Sequence, residues 1–409
     1  MYEYPVRQHT PLSARAQETV MSGQHTRSAA RKQKKPFRAK NLRRRRLPAA
    51  LLSVLLLFLL CLLLTAPARY AEACIQGMAL WAKAVLPALF PFLILTGLLT
   101  KLGAAQKLAD RLSPLTEKIG LPGSAAYCLL VSLLSGYPVG SRTVADLYKG
   151  GAITREQAKR MSVLCSTSGP MFLVGSVGGA MFGSAAAGAV LLAAHLLAVI
   201  GVYLALYFAN RRKKGNIHAG QKAPAPYAGL KKTMPPHALR VQNKTAAPQT
   251  TATPASENKR NKTAAPHPDT DGILAASVQS GVLTVLCVGG FIAFFFVLMQ
   301  ALSDLHISAP LERLLSFPLS AAGSEGAAAG LTAGLLEATQ GCASIAASGA
   351  PLALPLCAFL VTFGGGSILA QQLAFLTGAG VKAGPFIGIK ILQGIAAFLL
   401  CLAFCSFVL

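Results

Sequence analysis

The stretch "LLSGYPVGSRTVADLYKGG", Leu133–Gly151, begins as an apolar helix and then breaks. Gly136, Pro138 and Gly140 interrupt the apolar run, and Arg142 follows directly after them. Helix breakers at membrane depth are tolerated where the freed backbone groups are buried in protein or line a water-filled cavity. The stretch therefore predicts the tip and returning arm of a re-entrant helical hairpin.

The composition of the chain is that of an all-α polytopic membrane protein. Its 409 residues are 53% hydrophobic and 13% charged, whereas soluble domains carry about 25% charged residues. The formal net charge of +25 lies mainly in residues 1–46, net +11, and residues 211–272, net +9. Basic segments outside the apolar ones follow the positive-inside rule, so both are predicted to be cytoplasmic. No aromatic-interleaved basic fold accompanies this charge, which disfavours nucleic-acid binding.

Charge and hydropathy divide the chain into four predicted parts. Residues 1–46 are a basic disordered cytoplasmic tail, and residues 47–210 form a first membrane half. Residues 211–272, which contain "NKTAAP" twice, form a basic low-complexity cytoplasmic linker, because this composition cannot bury a core. Residues 273–409 form a second membrane half.

The nine cysteines lie in or beside apolar stretches, and none forms a C-x-x-C pair. They are interpreted as small packing residues, so neither a disulfide framework nor a metal site is predicted. No other cofactor is expected. No pairing of a nucleophile with a base is apparent, and the chain is not expected to be an enzyme.

Two stretches indicate an internal repeat. Leu134–Ile153 aligns without gaps with Thr362–Val381 at an offset of 228 residues, each with an apolar run, a cluster of helix breakers and a Gly-rich turn. The two basic segments are both predicted to be cytoplasmic, so an even number of spans separates them, and the first copy would enter the membrane from the cytoplasm. The second copy follows a span that ends on the other side of the membrane, so it would enter from there. Two halves in inverted repeat, each with a re-entrant hairpin, is the plan of secondary transporters.

Four helix-breaking polar stretches predict a binding site for a small, carboxylated solute. They are "SGYPVGSR" (135–142), "CSTSGP" (165–170), "LLEATQGC" (335–342) and "FGGGS" (363–367), the last followed by Gln371. Free N–H groups at half-helix N-termini and hydroxyl donors favour anions. The predicted substrate-binding residues are Ser135, Gly136, Tyr137, Pro138, Gly140, Ser141, Arg142, Ser166, Thr167, Ser168, Gly169, Pro170, Glu337, Gln340, Gly364, Gly365, Gly366, Ser367 and Gln371.

For three polar side chains the sequence allows a purely structural role as well as a role in binding. Arg142 provides a fork for a carboxylate or anchors the hairpin at the membrane surface. Glu337 faces a cavity, as ionisable groups in membrane segments usually do, or lies near an interface. His195, alone in "LLAAHLLAV", is interpreted as a packed or hydrogen-bonded helix residue rather than a ligand.

The motifs resemble a known family. The run from Leu133 to Gly183, "LLSGYPVGSRTVADLYKGGAITREQAKRMSVLCSTSGPMFLVGSVGGAMFG", is similar to the signature of the YlbJ-type sporulation integral membrane proteins, which carry nucleoside-recognition Gate domains. "VLPALFPFLILTGLL" (85–99), "GLLEATQGC" (334–342) and "TFGGGSILAQQ" (362–372) resemble further motifs of that family. The long basic N-terminus and the repeat-bearing linker depart from its pattern.

This resemblance implies two Gate-like halves, a fold shared with concentrative nucleoside transporters, whose substrate binds between re-entrant hairpins. It also implies an integral membrane protein of the mother-cell, or outer forespore, membrane that moves dipicolinate during spore formation. A homo-oligomer or assembly with other sporulation membrane proteins is left open. The alternative is a non-transporting scaffold of spore morphogenesis that recruits partners through its basic segments.

Overall fold

The computed structural model describes residues 53–214 and 270–408, and these two ranges are helical without any strand. The predicted basic tail and nearly all of the predicted linker lie outside the described residues. The chain forms two compact units, Met1–Thr65 and Ala66–Leu409. The described part of the first unit is helix α1, Ser53–Thr65.

Five helices in the described residues are long and apolar enough to cross a membrane. They are Pro67–Lys101, Ala185–Arg211, Gly272–Asp304, Ala353–Ala379 and Ala383–Ser406. Each exceeds the roughly 20 residues that a bilayer crossing requires. The predicted all-α polytopic architecture is confirmed.

The helices of the second unit follow one order twice. The first half contains α2 (Pro67–Leu80), π1 (Trp81–Val85), α3 (Leu86–Lys101), α4 (Ala104–Lys118), α5 (Ser124–Ser135), α6 (Tyr137–Lys149), α7 (Arg155–Leu164), π2 (Phe172–Met181) and α8 (Ala185–Lys214). The second half contains α9 (Thr270–Asp304), α10 (Ser308–Ser320), α11 (Ala328–Leu336), α12 (Ala338–Ala347), α13 (Ala353–Phe363), α14 (Gly365–Leu376) and α15 (Ala383–Val408). Each half therefore runs as a long helix, a shorter helix, two short joined helices, a broken helix and a final long helix.

A π-helical turn stands where the prolines of the first long helix predict a kink. The turn π1 ends two residues before Pro87, so its wider ladder accommodates the missing N–H group of proline. Trp81 in this turn donates from Nε1 to the carbonyl of Val285 in α9, 3.0 Å away. Gly289 in α9 makes room for the indole, since a Cβ there would lie 2.7 Å from the ring. The turn thus fixes the first long helix against the first helix of the second half.

Two pairs of short helices fold back on themselves. Helices α5 and α6 pack together and are joined at Gly136, whose φ of +80° lies in a region that glycine adopts readily. Helices α11 and α12 also pack together and are joined at Glu337. Each half therefore contains one helical hairpin, and the first coincides with the hairpin that the sequence predicts at Leu133–Gly151.

The position of the second hairpin differs from the repeat inferred at an offset of 228 residues. Helices α13 and α14 flank Gly364 within a single segment, Ala353–Ala379, that is long enough to cross a membrane. By element order this broken segment corresponds to α7 and π2, and the counterpart of α5–α6 is α11–α12. The alignment of Leu134–Ile153 with Thr362–Val381 thus paired a hairpin with a broken crossing helix.

The two ends of the bundle differ in charge. At one end Arg69, at the start of α2, donates to Asp304 at the end of α9, with 2.9 Å between Nη1 and Oδ1. At the other end Arg155, which begins α7, donates to the carbonyl of Gly380, 3.1 Å away, beside the start of α15. This second end also carries Lys101 and Arg211 at span termini. The positive-inside rule predicts that this end faces the cytoplasm.

The arms of the second hairpin approach closely enough to exclude any side chain. A Cβ at Gly341 would overlap the Cα of Gly334 on the facing arm. Forcing extra atoms into a well-packed core is destabilising by about 1–3 kcal/mol. We expect Gly341→Ala to lower the free energy of unfolding by that amount, measured by thermal or denaturant unfolding of the purified protein.

Gly290→Ala in α9 is the control, because a Cβ at Gly290 meets no atom within 4 Å. Equal effects of the two substitutions would show that helix propensity, rather than the close approach, determines the outcome.

Candidate functional site

The four helix-breaking stretches identified in the sequence meet around one cavity of about 100 Å³. The tip of the first hairpin and the break after α7 contribute from the first half. The tip of the second hairpin and the start of α14 contribute from the second half. The predicted residues that line the cavity are Ser135, Gly136, Tyr137, Ser168, Gly169, Glu337, Ser367 and Gln371. Residues more than 200 positions apart in sequence therefore share one site.

The rest of the cavity wall is largely apolar, and sequence reasoning missed it. Phe92 and Leu93 of α3 face it from one side, and Val288 and Phe291 of α9 from another. These side chains belong to apolar helices, in which nothing in the sequence distinguishes a cavity-facing position from a lipid-facing one. The site is thus a mostly apolar chamber with its polar groups concentrated at the helix breaks, a common composition for small-molecule sites.

Arg142 does not line the cavity. Its Nε lies 3.7 Å from Oδ2 of Asp146 one helical turn away, and 41% of its side chain is exposed. Of the two roles considered for Arg142, this surface position favours the anchor.

The remaining predicted residues support the breaks or lie elsewhere. A Cβ at Gly140 would overlap the carbonyl oxygen of Cys165, so this glycine lets the hairpin arm approach the broken segment. Gln340 lines a different cavity, together with Gln300 and Glu312. The other predicted residues that are not among the cavity lining are Pro138, Ser141, Ser166, Thr167, Pro170, Gly364, Gly365 and Gly366.

Hydrogen bonds hold the first hairpin against the broken segment after α7. Ser132 Oγ donates to the carbonyl of Cys165 at 2.8 Å and accepts from the amide of Thr167 at 3.2 Å. It also lies 2.9 Å from Thr167 Oγ1. These bonds satisfy backbone groups that the helix break leaves open, as buried polar groups require.

His195 links the breaks of the two halves. The amide of Ser168 donates to its Nε2 at 3.0 Å, and its Nδ1 lies 2.9 Å from Thr362 Oγ1. Because a backbone amide can only donate, Nε2 accepts and the proton lies on Nδ1, which donates to the threonine. The interpretation of His195 as a hydrogen-bonded helix residue is supported, and its partners lie beside both breaks.

Lys390 is a buried cation that sequence reasoning missed. Its side chain is fully buried in α15, and Nζ donates to the carbonyl of Ser166 at 3.0 Å. The ammonium lies 5.6 Å from the centroid of the Tyr137 ring, and that tyrosine lines the cavity. Within the described ranges no carboxylate forms an ion pair with Lys390. A single lysine in an apolar span is the signal that was available, because such residues usually mark functional sites.

Gln393, one turn after Lys390, donates to the carbonyl of Val163 at 2.9 Å. The two side chains thus satisfy carbonyls at the C-terminal end of α7, where cations and donors are favoured. The last helix of the second half therefore supplies hydrogen-bond donors to backbone carbonyls at the helix break of the first half.

Glu337 has a structural role at the cavity wall. Its Oε1 accepts from the amide of Thr339 at 3.1 Å, and Oε2 accepts from the amide of Gln340 at 2.7 Å, so the carboxylate caps α12. Its side chain is buried, and the residue is 3% exposed. This half-helix N-terminus, expected to offer free donors to a solute, is occupied by the protein's own carboxylate. Helices α6 and α14 begin without a side-chain cap and keep such donors.

Several buried hydroxyls near the cavity have no hydrogen-bond partner among the described residues. They include Tyr137 Oη and Ser168 Oγ, both on lining residues, and Ser166 Oγ beside the Lys390 contact. An unpartnered buried polar group is destabilising by about 1–3 kcal/mol. These hydroxyls are therefore available to hydrogen-bond water or a polar solute.

Comparison with known proteins supports the family resemblance. The model of the Gate family, described as nucleoside recognition, matches residues 82–207, from within π1 to within α8. The sporulation integral membrane protein YlbJ of Bacillus subtilis is 28% identical over 355 residues, which are 85% of this chain and 80% of that protein. No solved structure matches the chain. Residues 82–207 thus match the Gate family model, and the resemblance of the chain to the YlbJ-type sporulation integral membrane proteins is confirmed.

Proposed function

We propose that this protein is a membrane transporter or facilitator of a small carboxylated solute. The observation that carries the proposal is the meeting of four helix breaks, two from each half, around one cavity. Discontinuous helices near the middle of the membrane, at the interface of two repeats, are the usual substrate sites of secondary transporters. In this proposal the two halves form an inverted repeat, and α5–α6 and α11–α12 are re-entrant hairpins entering from opposite sides.

The charges around the cavity support an anionic solute. Lys390 supplies a buried ammonium behind Tyr137, and the uncapped starts of α6 and α14 supply backbone N–H groups. Helix N-termini and cations both favour carboxylates. Glu337 has the opposite sign, so its protonation couples to entry of the anion in this proposal.

Dipicolinate, a small aromatic dicarboxylate, is the solute that the family resemblance implies. Similarity to a sporulation integral membrane protein supports a role in spore formation. We therefore place the protein in the mother-cell-derived outer forespore membrane, with the basic end of the bundle in the mother-cell cytoplasm. The apolar and aromatic cavity wall suits an aromatic ring, and the polar breaks suit its carboxylates.

Uptake of labelled dipicolinate into proteoliposomes that contain the purified protein tests the proposal. We expect saturable uptake that unlabelled dipicolinate inhibits and that is absent from empty liposomes. Nucleosides are the second set of competitors, because the Gate family is described by nucleoside recognition. If nucleosides but not dipicolinate compete, or if no solute enters, the carboxylated substrate is wrong.

The scaffold alternative is tested by deleting residues 1–45 and 215–269. A transporter lacking these segments should still take up solute into proteoliposomes, because the cavity lies wholly in the described helices. A scaffold should instead lose its function in sporulating cells while the protein is still present in the membrane.

Arg142 is expected to be dispensable for transport. Its guanidinium is directed to Asp146 on the same helix face and does not line the cavity. Exposed ion pairs of this kind contribute about 0–1 kcal/mol. We expect Arg142→Ala to change uptake by less than about fivefold, since about 1 kcal/mol corresponds to roughly that factor.

A loss of uptake in Arg142→Ala at normal protein level would show instead that this side chain reaches the solute in another state of the transporter.

A further inference from the structure

We propose that a second cavity, at the basic end of the bundle, binds the headgroup of an anionic phospholipid. The cavity lies between α7, α8 and α15 and has a volume of about 560 Å³. It is separate from the central cavity, and the two share no lining residue. Its volume falls within the roughly 300–1,000 Å³ typical of small-molecule sites.

The lining of this cavity is basic. Lys159, Arg160 and Arg211 contribute positive charge, and Glu156 is the acidic residue among the lining side chains. Lys159 Nζ lies 2.6 Å from Glu156 Oε1, so these two charges compensate each other. Among the described residues, Arg160 donates only to the carbonyl of Gly120, at 3.4 Å, and the Arg211 guanidinium makes no hydrogen bond or ion pair. Two arginines therefore remain to pair with an anion.

Aromatic and apolar side chains form the wall beside these charges. Tyr203 and Tyr207 stack with their ring centroids 6.4 Å apart, and Tyr203 Oη donates to the carbonyl of Ile119 at 2.9 Å. Leu206 and Ile389 add an apolar surface. Tyrosine is enriched at membrane–water boundaries, where its ring lies beside acyl chains and its hydroxyl meets water. The wall thus suits the glycerol backbone and upper acyl chains below a phosphate.

The position of the cavity favours a lipid over a soluble anion. Arg211 is the last residue of the span Ala185–Arg211, and Ile389 lies in the second turn of the span Ala383–Ser406. Span ends lie at the headgroup level of a bilayer. This is also the basic end of the bundle, and the cytoplasmic leaflet carries the anionic lipids. A lipid bound here would join α7 and α8 of the first half to α15 of the second.

Native mass spectrometry of the full chain, released from bilayers of phosphatidylglycerol and phosphatidylcholine, tests the proposal. We expect retained phosphatidylglycerol on the wild-type protein and its loss in the double variant Arg160→Gln/Arg211→Gln. A juxtamembrane Lys or Arg contributes about 1 kcal/mol to anionic-lipid binding, so removing two should weaken retention roughly thirtyfold. The control is Lys107→Gln/Arg111→Gln, which removes equal charge from exposed positions on α4.

Equal lipid retention in the double variant and the control would overturn the proposal, as would equal retention of phosphatidylcholine. Displacement of the lipid by millimolar inorganic phosphate would also overturn it, because the site would then be one for a soluble anion. Arg160 contacts the turn at Gly120, so its loss could disturb folding. The exposed Arg211→Gln alone keeps the test valid, with an expected weakening of about fivefold.

Discussion

Lys390→Met is expected to abolish most transport of a carboxylated solute while leaving the protein folded. Methionine has a similar length and no charge, so it fills the space between α15 and the break after α7. A hydrogen bond to a charged group contributes about 1.5–3 kcal/mol, which corresponds to a roughly 10- to 150-fold loss of uptake or affinity. Uptake into proteoliposomes and equilibrium binding of the labelled solute measure the effect.

The physical reason is the uncompensated charge of Lys390. Among the described residues its one hydrogen-bond acceptor is the carbonyl of Ser166, and its Nζ lies over the ring of Tyr137 on the cavity wall. A buried cation without a carboxylate partner is unfavourable in a membrane interior, and an anionic solute relieves that cost. Removing the cation therefore removes the electrostatic reason for an anion to enter.

Gln393→Met is the matched control. Gln393 lies one turn from Lys390 and makes the same kind of bond to a carbonyl at the end of α7, but it carries no charge. We expect its replacement to lower the free energy of unfolding by about 0.5–1.5 kcal/mol. Uptake should fall by less than about threefold. If both variants lose uptake equally, the contribution of Lys390 is capping of the helix end rather than its charge.

The sequence predicted which parts of the chain form the polar wall of the cavity. Glycine, proline and hydroxyl residues inside apolar runs have few explanations in a membrane, and each of the four stretches chosen on this ground contributes to the same cavity. This agreement depends on local composition, which a linear sequence displays directly, whereas solute binding by these residues stays a prediction.

Local composition could not show whether a broken helix folds back or continues. Helix, glycine break and helix occur both at Gly136, where the arms pack together, and at Gly364, where the segment continues. The close glycine contact of Gly334 with Gly341 identifies the true second hairpin, and that contact is apparent only in three dimensions. For the same reason Arg142, next to the motif in sequence, was assigned to the site, whereas Lys390, about 250 residues away, was missed.

Glu337→Asn is expected to keep the second hairpin folded and to reduce transport more than tenfold. Asparagine caps helix N-termini about as well as aspartate does, so the amides of Thr339 and Gln340 can keep an acceptor. The variant removes the charge that lies at the cavity wall. The free energy of unfolding of the purified protein should change by less than about 1 kcal/mol, the typical contribution of a helix cap.

The comparison of three variants separates the capping role of Glu337 from a role in transport. Glu337→Asp keeps both the cap and the charge and should retain more uptake than Glu337→Asn. Glu337→Ala removes both and should also destabilise the hairpin, by about 0.5–2 kcal/mol. If Glu337→Asn transports as the wild type does, the carboxylate caps α12 and has no role in transport. Coupling of the solute to a proton must then involve another group, and the functional charge beside the central cavity would be that of Lys390, behind Tyr137, whose sign fits the anion proposed to enter.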